Sequence, residues 1–299
     1  MPQLVLIALV GFLANLINNA LGMGYGVTSA TLLLTAGLAP AVVAASVNFA
    51  GTGAALASGL AHWGFGNVNW RVVTRLALPG AAGAFAGATV LSFVATKSAT
   101  PLIAAVLAIL GGFLLLRFTG ARPPREVSTE PLRRRFLAPV GLVGGFLNGS
   151  TGGGWGPVAT PALLASGRLE PRQVIGSVDT AEFLVTLAAS IGFLAGLGLT
   201  GIPLPVVAAL LVGSLLAAPV GAWLCRLVPG PLLGVSVGGL LLTLNARIIL
   251  SAFGAGEVVF SIAYVAIVAA WVGALAAAVR IVVQDRRAAR IQVALDTGD

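Results

Sequence analysis

Long apolar runs recur along almost the whole chain, at roughly 40–62, 76–96, 99–118, 172–196, 204–225, 231–251 and 258–281. About 20 consecutive apolar residues suffice for a helix to cross the hydrocarbon of a bilayer, so each run is long enough to span. Inside hydrocarbon a lipid-facing segment must satisfy its backbone polar groups internally, which a helix does. The pattern predicts an all-α, polytopic membrane protein. Composition points the same way. Of 299 residues, 9% are charged and the mean hydropathy is +1.02, against about a quarter charged in a soluble domain. So few charges could not cover a water-facing surface.

The 40 glycines suit the same solvent. In an ordinary soluble helix each would cost roughly 1 kcal/mol relative to alanine, whereas between membrane helices small residues let backbones approach closely. A net charge of +8 in a soluble chain would suggest nucleic acid. Here the Lys and Arg residues sit in short loops between apolar runs, which is a topology signal, and no nucleic-acid partner is expected. One cysteine, Cys225, excludes an internal disulfide and a cysteine metal cluster. With a single His and no nucleotide-binding Lys loop or zincin motif, no cofactor, no metal and no enzymatic activity are expected. The first run, Leu4 to Leu21, has no Lys or Arg before it and reads as retained rather than cleaved.

Two further stretches, 4–37 and 136–166, are apolar but broken in the middle. The breaks are Gly22-Met23-Gly24-Tyr25-Gly26 and Gly149-Ser150-Thr151-Gly152-Gly153-Gly154-Trp155-Gly156-Pro157. They are copies of one another. At an offset of 130, Gly11 meets Gly141, Asn18 meets Asn148, and Gly22, Gly24 and Gly26 meet Gly152, Gly154 and Gly156. Tyr25 falls on Trp155 and Gly37 on Gly167. One inserted residue later, Pro40 meets Pro171, and Ser46-Val47-Asn48 meets Ser177-Val178-Asp179. Arg117 then falls on Arg247. Glycines match easily by chance in such a chain, but Asn, Pro, aromatic and Arg residues in order do not. The organisation predicted is a first repeat at 4–118, a basic cytoplasmic linker at 119–135, a second repeat at 136–250, a last transmembrane helix at 258–283 and a cytoplasmic tail at 284–299.

Placing the linker, with Arg122, Arg125, Arg133, Arg134 and Arg135, in the cytoplasm sets the orientation. Each broken stretch is taken as a hairpin returning to its own side. Arg71, Arg75, Arg168, Arg172, Arg226 and the tail arginines then fall inside, while Lys97 and Arg247 stay outside. The N-terminus is external and the C-terminus cytoplasmic, in a plasma (inner) membrane. Each half has a hairpin plus three crossings, an odd number, so the halves take opposite orientations. Inverted repeats of this kind recur in secondary transporters, with the binding site at the repeat interface near the midplane.

Irregular backbone at membrane depth is tolerated where it is buried or lines a cavity. After each break a short helix restarts, expected at Val27 and at Pro157. A helix start offers free N–H groups and the positive end of its dipole to an anion. The glycines let a ligand reach those amides, or alternatively serve only tight packing. The candidate substrate-binding set is Asn18, Asn19, Gly22, Gly24, Tyr25, Asn48, Asn148, Ser150, Thr151, Gly153, Gly154 and Trp155. Asn, Ser and Thr can donate to an oxyanion without burying a full charge, or can satisfy carbonyls at the breaks.

Asp179 and Glu182 stand at i and i+3 on one face of an apolar helix. Carboxylates inside a membrane helix are functional hypotheses by default. They suit coupling to a proton or to a cation such as sodium; the bland alternative is a pairing with Arg or a cap. Arg117 reads as a snorkelling residue. Arg247 reads as an interfacial anchor or an external gate. His62, just before Trp63, reads as interfacial.

In these motifs the sequence resembles the TauE/SafE family of sulfite and sulfonate permeases. The likeness rests on the duplicated pattern Gly11…Asn18…Gly22-Met23-Gly24-Tyr25-Gly26 and Gly145-Phe146-Leu147-Asn148-Gly149…Gly152-Gly153-Gly154-Trp155-Gly156-Pro157. The helix starts Ser46-Val47-Asn48 and Ser177-Val178-Asp179 follow it. Met23 and Tyr25 interrupt the glycine triplet in the first break. The resemblance implies a secondary transporter, often an exporter, of small sulfur-containing anions such as sulfite or sulfoacetate. The rival readings are a passive small-anion channel and, in a different class, a membrane-embedded enzyme.

Overall fold

The computed structural model describes residues 2–21, 23–94, 96–119, 132–166, 168–224 and 230–297. Among them are eleven α-helices and one short 3-10 turn, with no strand. The first five helices are α1 (Pro2–Leu21), α2 (Tyr25–Thr35), α3 (Pro40–Gly64), α4 (Trp70–Phe93) and α5 (Thr96–Thr119). The next five are α6 (Arg134–Thr151), α7 (Trp155–Ser166), α8 (Pro171–Leu197), α9 (Leu204–Leu224) and α10 (Gly230–Ala252). Helix α11 (Glu257–Thr297) closes the chain. Gly22, Gly167, Arg122, Arg125, Cys225 and Arg226, and most of the linker, lie outside the described residues.

Six helices are long and apolar enough to cross a membrane, over Pro40–Gly64, Trp70–Phe93, Ala99–Thr119, Arg172–Leu197, Gly234–Ala252 and Glu257–Gln284. Gln3–Asn19 and Leu204–Ala217 are shorter apolar helices. The helix lengths run in two similar series. Helices of 20, 11, 25, 24 and 24 residues are followed by helices of 18, 12, 27, 21 and 23. Proline opens both α3 and α8, at Pro40 and Pro171, where its missing N–H costs nothing.

Both short helices begin two residues before the expected Val27 and Pro157. Gly24 takes φ 134°, a conformation open to glycine, and its carbonyl accepts from Thr28 N at 3.0 Å. That bond draws Tyr25 into the first turn. Pro157 likewise falls inside the first turn of α7, behind Trp155. The last helix continues beyond the expected end at 283, as far as Thr297.

Helices from the two halves pack against one another. α1 lies on α9, α4 on both α6 and α8, α3 on α8, and α5 on α10. Glycine makes the closest of these approaches. A Cβ on Gly83, Gly87, Gly141, Gly145 or Gly149 would strike a backbone carbonyl of the facing helix in the α4–α6 pair, so backbone packs on backbone there. The matching helices α3 and α8 run antiparallel: His62 lies against Asp179, and Thr52 against Ser190. The matching pair α5 and α10 does the same, with Gly111 against Gly238 and Phe118 against Gly234. Helix α11 sits outside this arrangement on α10 and α5 and keeps a broad apolar face exposed.

Candidate functional site

The two glycine breaks meet in the middle of the bundle. A Cβ on Gly26 would stand 2.5 Å from the Gly152 carbonyl oxygen and 2.6 Å from the Gly153 Cα. Gly153 in turn abuts Val27 N. Only glycine permits this approach, and it brings the starts of α2 and α7 together. Gly152 closes α6 in the left-handed region, φ 81°, with its N–H on the Asn148 carbonyl at 2.8 Å. Met23, Tyr25, Gly24, Gly153, Gly154 and Trp155 are all buried.

The polar residues around the breaks divide by role. Asn18 accepts from Tyr25 N at 3.3 Å and so caps α2. Thr151 accepts from Gly153 N at 3.2 Å and donates to the Leu147 carbonyl at 2.7 Å. Ser150 turns back onto the Phe146 carbonyl at 2.8 Å. Asn148 donates to Asn48. Trp155 is fully buried, donates from its indole to the Val178 carbonyl at 3.0 Å, and lays its ring against Gly80.

A second group has no such occupation. Asn19 Nδ2 and the hydroxyls of Tyr25, Thr28, Ser29 and Ser46 are buried without a hydrogen-bond partner. All five belong to the end of α1, the first turn of α2 or the facing helix α3. Unpaired buried donors are uncommon in folded proteins and call for a reason. Thr28, Ser29 and Ser46 escaped the sequence reading. Their signal was adjacency: Thr28 and Ser29 follow the break within one turn, and their counterparts at offset 130 are Val158 and Ala159.

The carboxylates sit in α8. Asp179 is 1% exposed and Glu182 8%, and the two lie within electrostatic reach of one another. Among the described residues the partners that Asp179 shows are a serine and a histidine. Its Oδ2 accepts from Ser58 Oγ at 3.1 Å and faces His62 Nε2 at 3.4 Å, while Oδ1 is buried without a partner. His62, read from the sequence as interfacial, also reaches across with its imidazole to Asp179 of α8. Tyr25 brings its hydroxyl toward Ser214 and Glu182, joining the acidic region to the first break. Arg247 is exposed near the end of α10, remote in sequence from both breaks. Its neighbour Asn245 is buried and donates to Thr31 Oγ1 at 2.9 Å.

A bundle of apolar spanning helices, folded around two buried helix breaks lined with polar groups, is the architecture of a multi-pass membrane transporter. The sulfite exporter TauE/SafE family matches residues 7–248, and the chain belongs to that family. Helix α11 lies beyond the matched region. The chain is also similar to a probable membrane transporter protein, YtnM, of Bacillus subtilis (strain 168), at 42% identity over 276 residues, 92% of each chain. No solved structure matches.

Proposed function

We propose that this transporter moves small sulfur-containing anions, such as sulfite or sulfoacetate, outward across the plasma (inner) membrane by a proton- or cation-coupled mechanism. The observation that carries the reading is the meeting of the two glycine breaks at Gly26, Gly152 and Gly153. It aims two helix starts, one from each half, at one buried place, and helix starts attract anions. The unpaired donors Asn19, Tyr25, Thr28, Ser29 and Ser46 supply N–H and O–H groups for oxyanion oxygens beside the first break. In this conformation glycine backbone fills the meeting point, so binding requires the breaks to part.

The repeats 4–118 and 136–250 take opposite orientations in this reading, with the N-terminus external and the C-terminus cytoplasmic. The antiparallel contacts of α3 with α8 and of α5 with α10 support it, as does the basic segment around Arg133, Arg134 and Arg135. Parting of the breaks then follows from one half moving against the other. Asp179 and Glu182 carry the coupling ion, and Arg247 stands at the external end.

The test is flux of sulfite and of sulfoacetate in proteoliposomes, with and without an imposed pH gradient. Flux of either anion that follows the gradient supports coupled export. Saturable flux of neither would remove the substrate assignment, and flux indifferent to every imposed gradient would favour a channel.

A further inference from the structure

Ser58, His62 and Asp179 form one polar cluster at the end of the seam between α3 and α8. The seam joins matching helices of the two halves, so the cluster holds the halves to each other. We propose that His62 and Asp179 together bind one exchangeable proton that clamps this end of the bundle. The proposal rests on the proton-coupled reading above and assigns the proton a seat.

His62 Nε2 stands 3.4 Å from a carboxylate oxygen that already accepts from Ser58. With a proton on Nε2 this contact is a donor–acceptor pair, and a second proton on the ring makes it an ion pair. Asp179 is 1% exposed while the His62 side chain is 20% exposed, which makes the imidazole the member that reaches solvent. Finally, His62 Nδ1 and Asp179 Oδ1 are both buried and unpaired, so no other bond fixes the protonation state.

Among the described residues Asp179 is the ionisable group placed against the imidazole; α8 also carries Glu182 one turn further along and Arg172, which pairs with Glu170 at 2.6 Å. Among the other helices packed on α3, α2 brings Tyr25, turned toward Ser214 and Glu182. α4 brings Arg71 and Arg75, and Arg75 donates to the Leu132 carbonyl at 3.1 Å. α5 brings Arg117, α6 brings Arg134 and Arg135, and α9 carries no ionisable residue among its described positions.

Uptake of one proton forms an N–H bond on the ring, and the pair becomes imidazolium and carboxylate. That ion pair draws α3 and α8 together where water is scarce. Loss of the same proton to solvent water breaks the N–H bond and leaves a single negative charge buried at Asp179. Only Ser58 and a neutral ring then compensate it, and this end of the seam loosens. Proton binding therefore closes the end that carries His62, and proton loss frees it.

Trp63 follows His62 and meets Trp70 edge-on at 6.0 Å, which provides a readout independent of transport. Intrinsic fluorescence of the purified full chain is titrated between about pH 5 and 8, beside the pH profile of sulfite flux in proteoliposomes. The wild type will show a fluorescence transition that His62→Gln removes. Asp179→Asn will alter its midpoint, because the carboxylate that faces the ring is gone. Should His62→Gln fail to fold, Asp179→Asn carries the same test. A transition unchanged in both variants overturns the proposal. Absence of any flux alongside an intact, His62-dependent transition would sink the substrate reading and leave the proton seat standing.

Discussion

Asn148 donates its side-chain amide to Asn48 Oδ1 at 2.7 Å, tying the last turn of α6 to the interior of α3 across the two halves. Asn48 spends its own amide on the Ala44 carbonyl at 2.8 Å. At the matching position of the second half stands Asp179, which turns to Ser58 and His62 instead. Positions matched at an offset of 131 thus carry a neutral link and an ionisable one.

Replacing Asn148 with Ala strands Asn48 Oδ1 in a buried site. The expected loss is about 1–3 kcal/mol of stability, read from denaturant unfolding in detergent. The double variant with Asn48→Ala will lose less than the sum of the two single variants, because the second change removes an acceptor already stranded. Strict additivity would show that the two residues are not coupled.

Gly26→Ala will impair both folding and flux. Its methyl would sit 2.5 Å from the Gly152 oxygen, and overpacking of this kind costs about 1–3 kcal/mol. The same substitution at Gly112, where a Cβ meets nothing within 4 Å, will leave both close to wild type. Equal effects at the two positions would mean that the contact between the breaks does not matter to function.

Asp179→Asn combined with Glu182→Gln will abolish the dependence of anion flux on an imposed pH gradient. The two changes remove both buried carboxylates of α8 while keeping their size. Gradient-driven accumulation in the double variant equal to wild type would end the coupling role of these residues.

Trp155→Ala will be the most damaging of the aromatic truncations. The ring is fully buried, donates to the Val178 carbonyl and packs on Gly80, so its removal leaves a cavity worth about 3–5 kcal/mol. Trp63→Ala, at an exposed residue, will cost far less. Thermal unfolding of the two variants side by side decides the ranking.

The amino-acid sequence by itself determined the class of protein and located six spanning helices, while the run at 204–225 appears among the shorter apolar helices as Leu204–Ala217. Those features rest on a local quantity, apolar length against bilayer thickness. It also located both breaks, because Gly22 to Gly26 and Gly152 to Gly156 interrupt otherwise continuous apolar stretches. Which polar groups serve the fold and which stay unpaired was settled only by tertiary structure. Asn18 and Thr151 are consumed as caps, whereas Thr28, Ser29 and Ser46 keep free hydroxyls, a division set by neighbours distant along the chain. The pairing of His62 with Asp179 belongs to the same kind: 117 positions separate them in sequence, and the antiparallel packing of α3 on α8 brings them to 3.4 Å. Helix periodicity tells which face a side chain shares, but not which helix that face will meet.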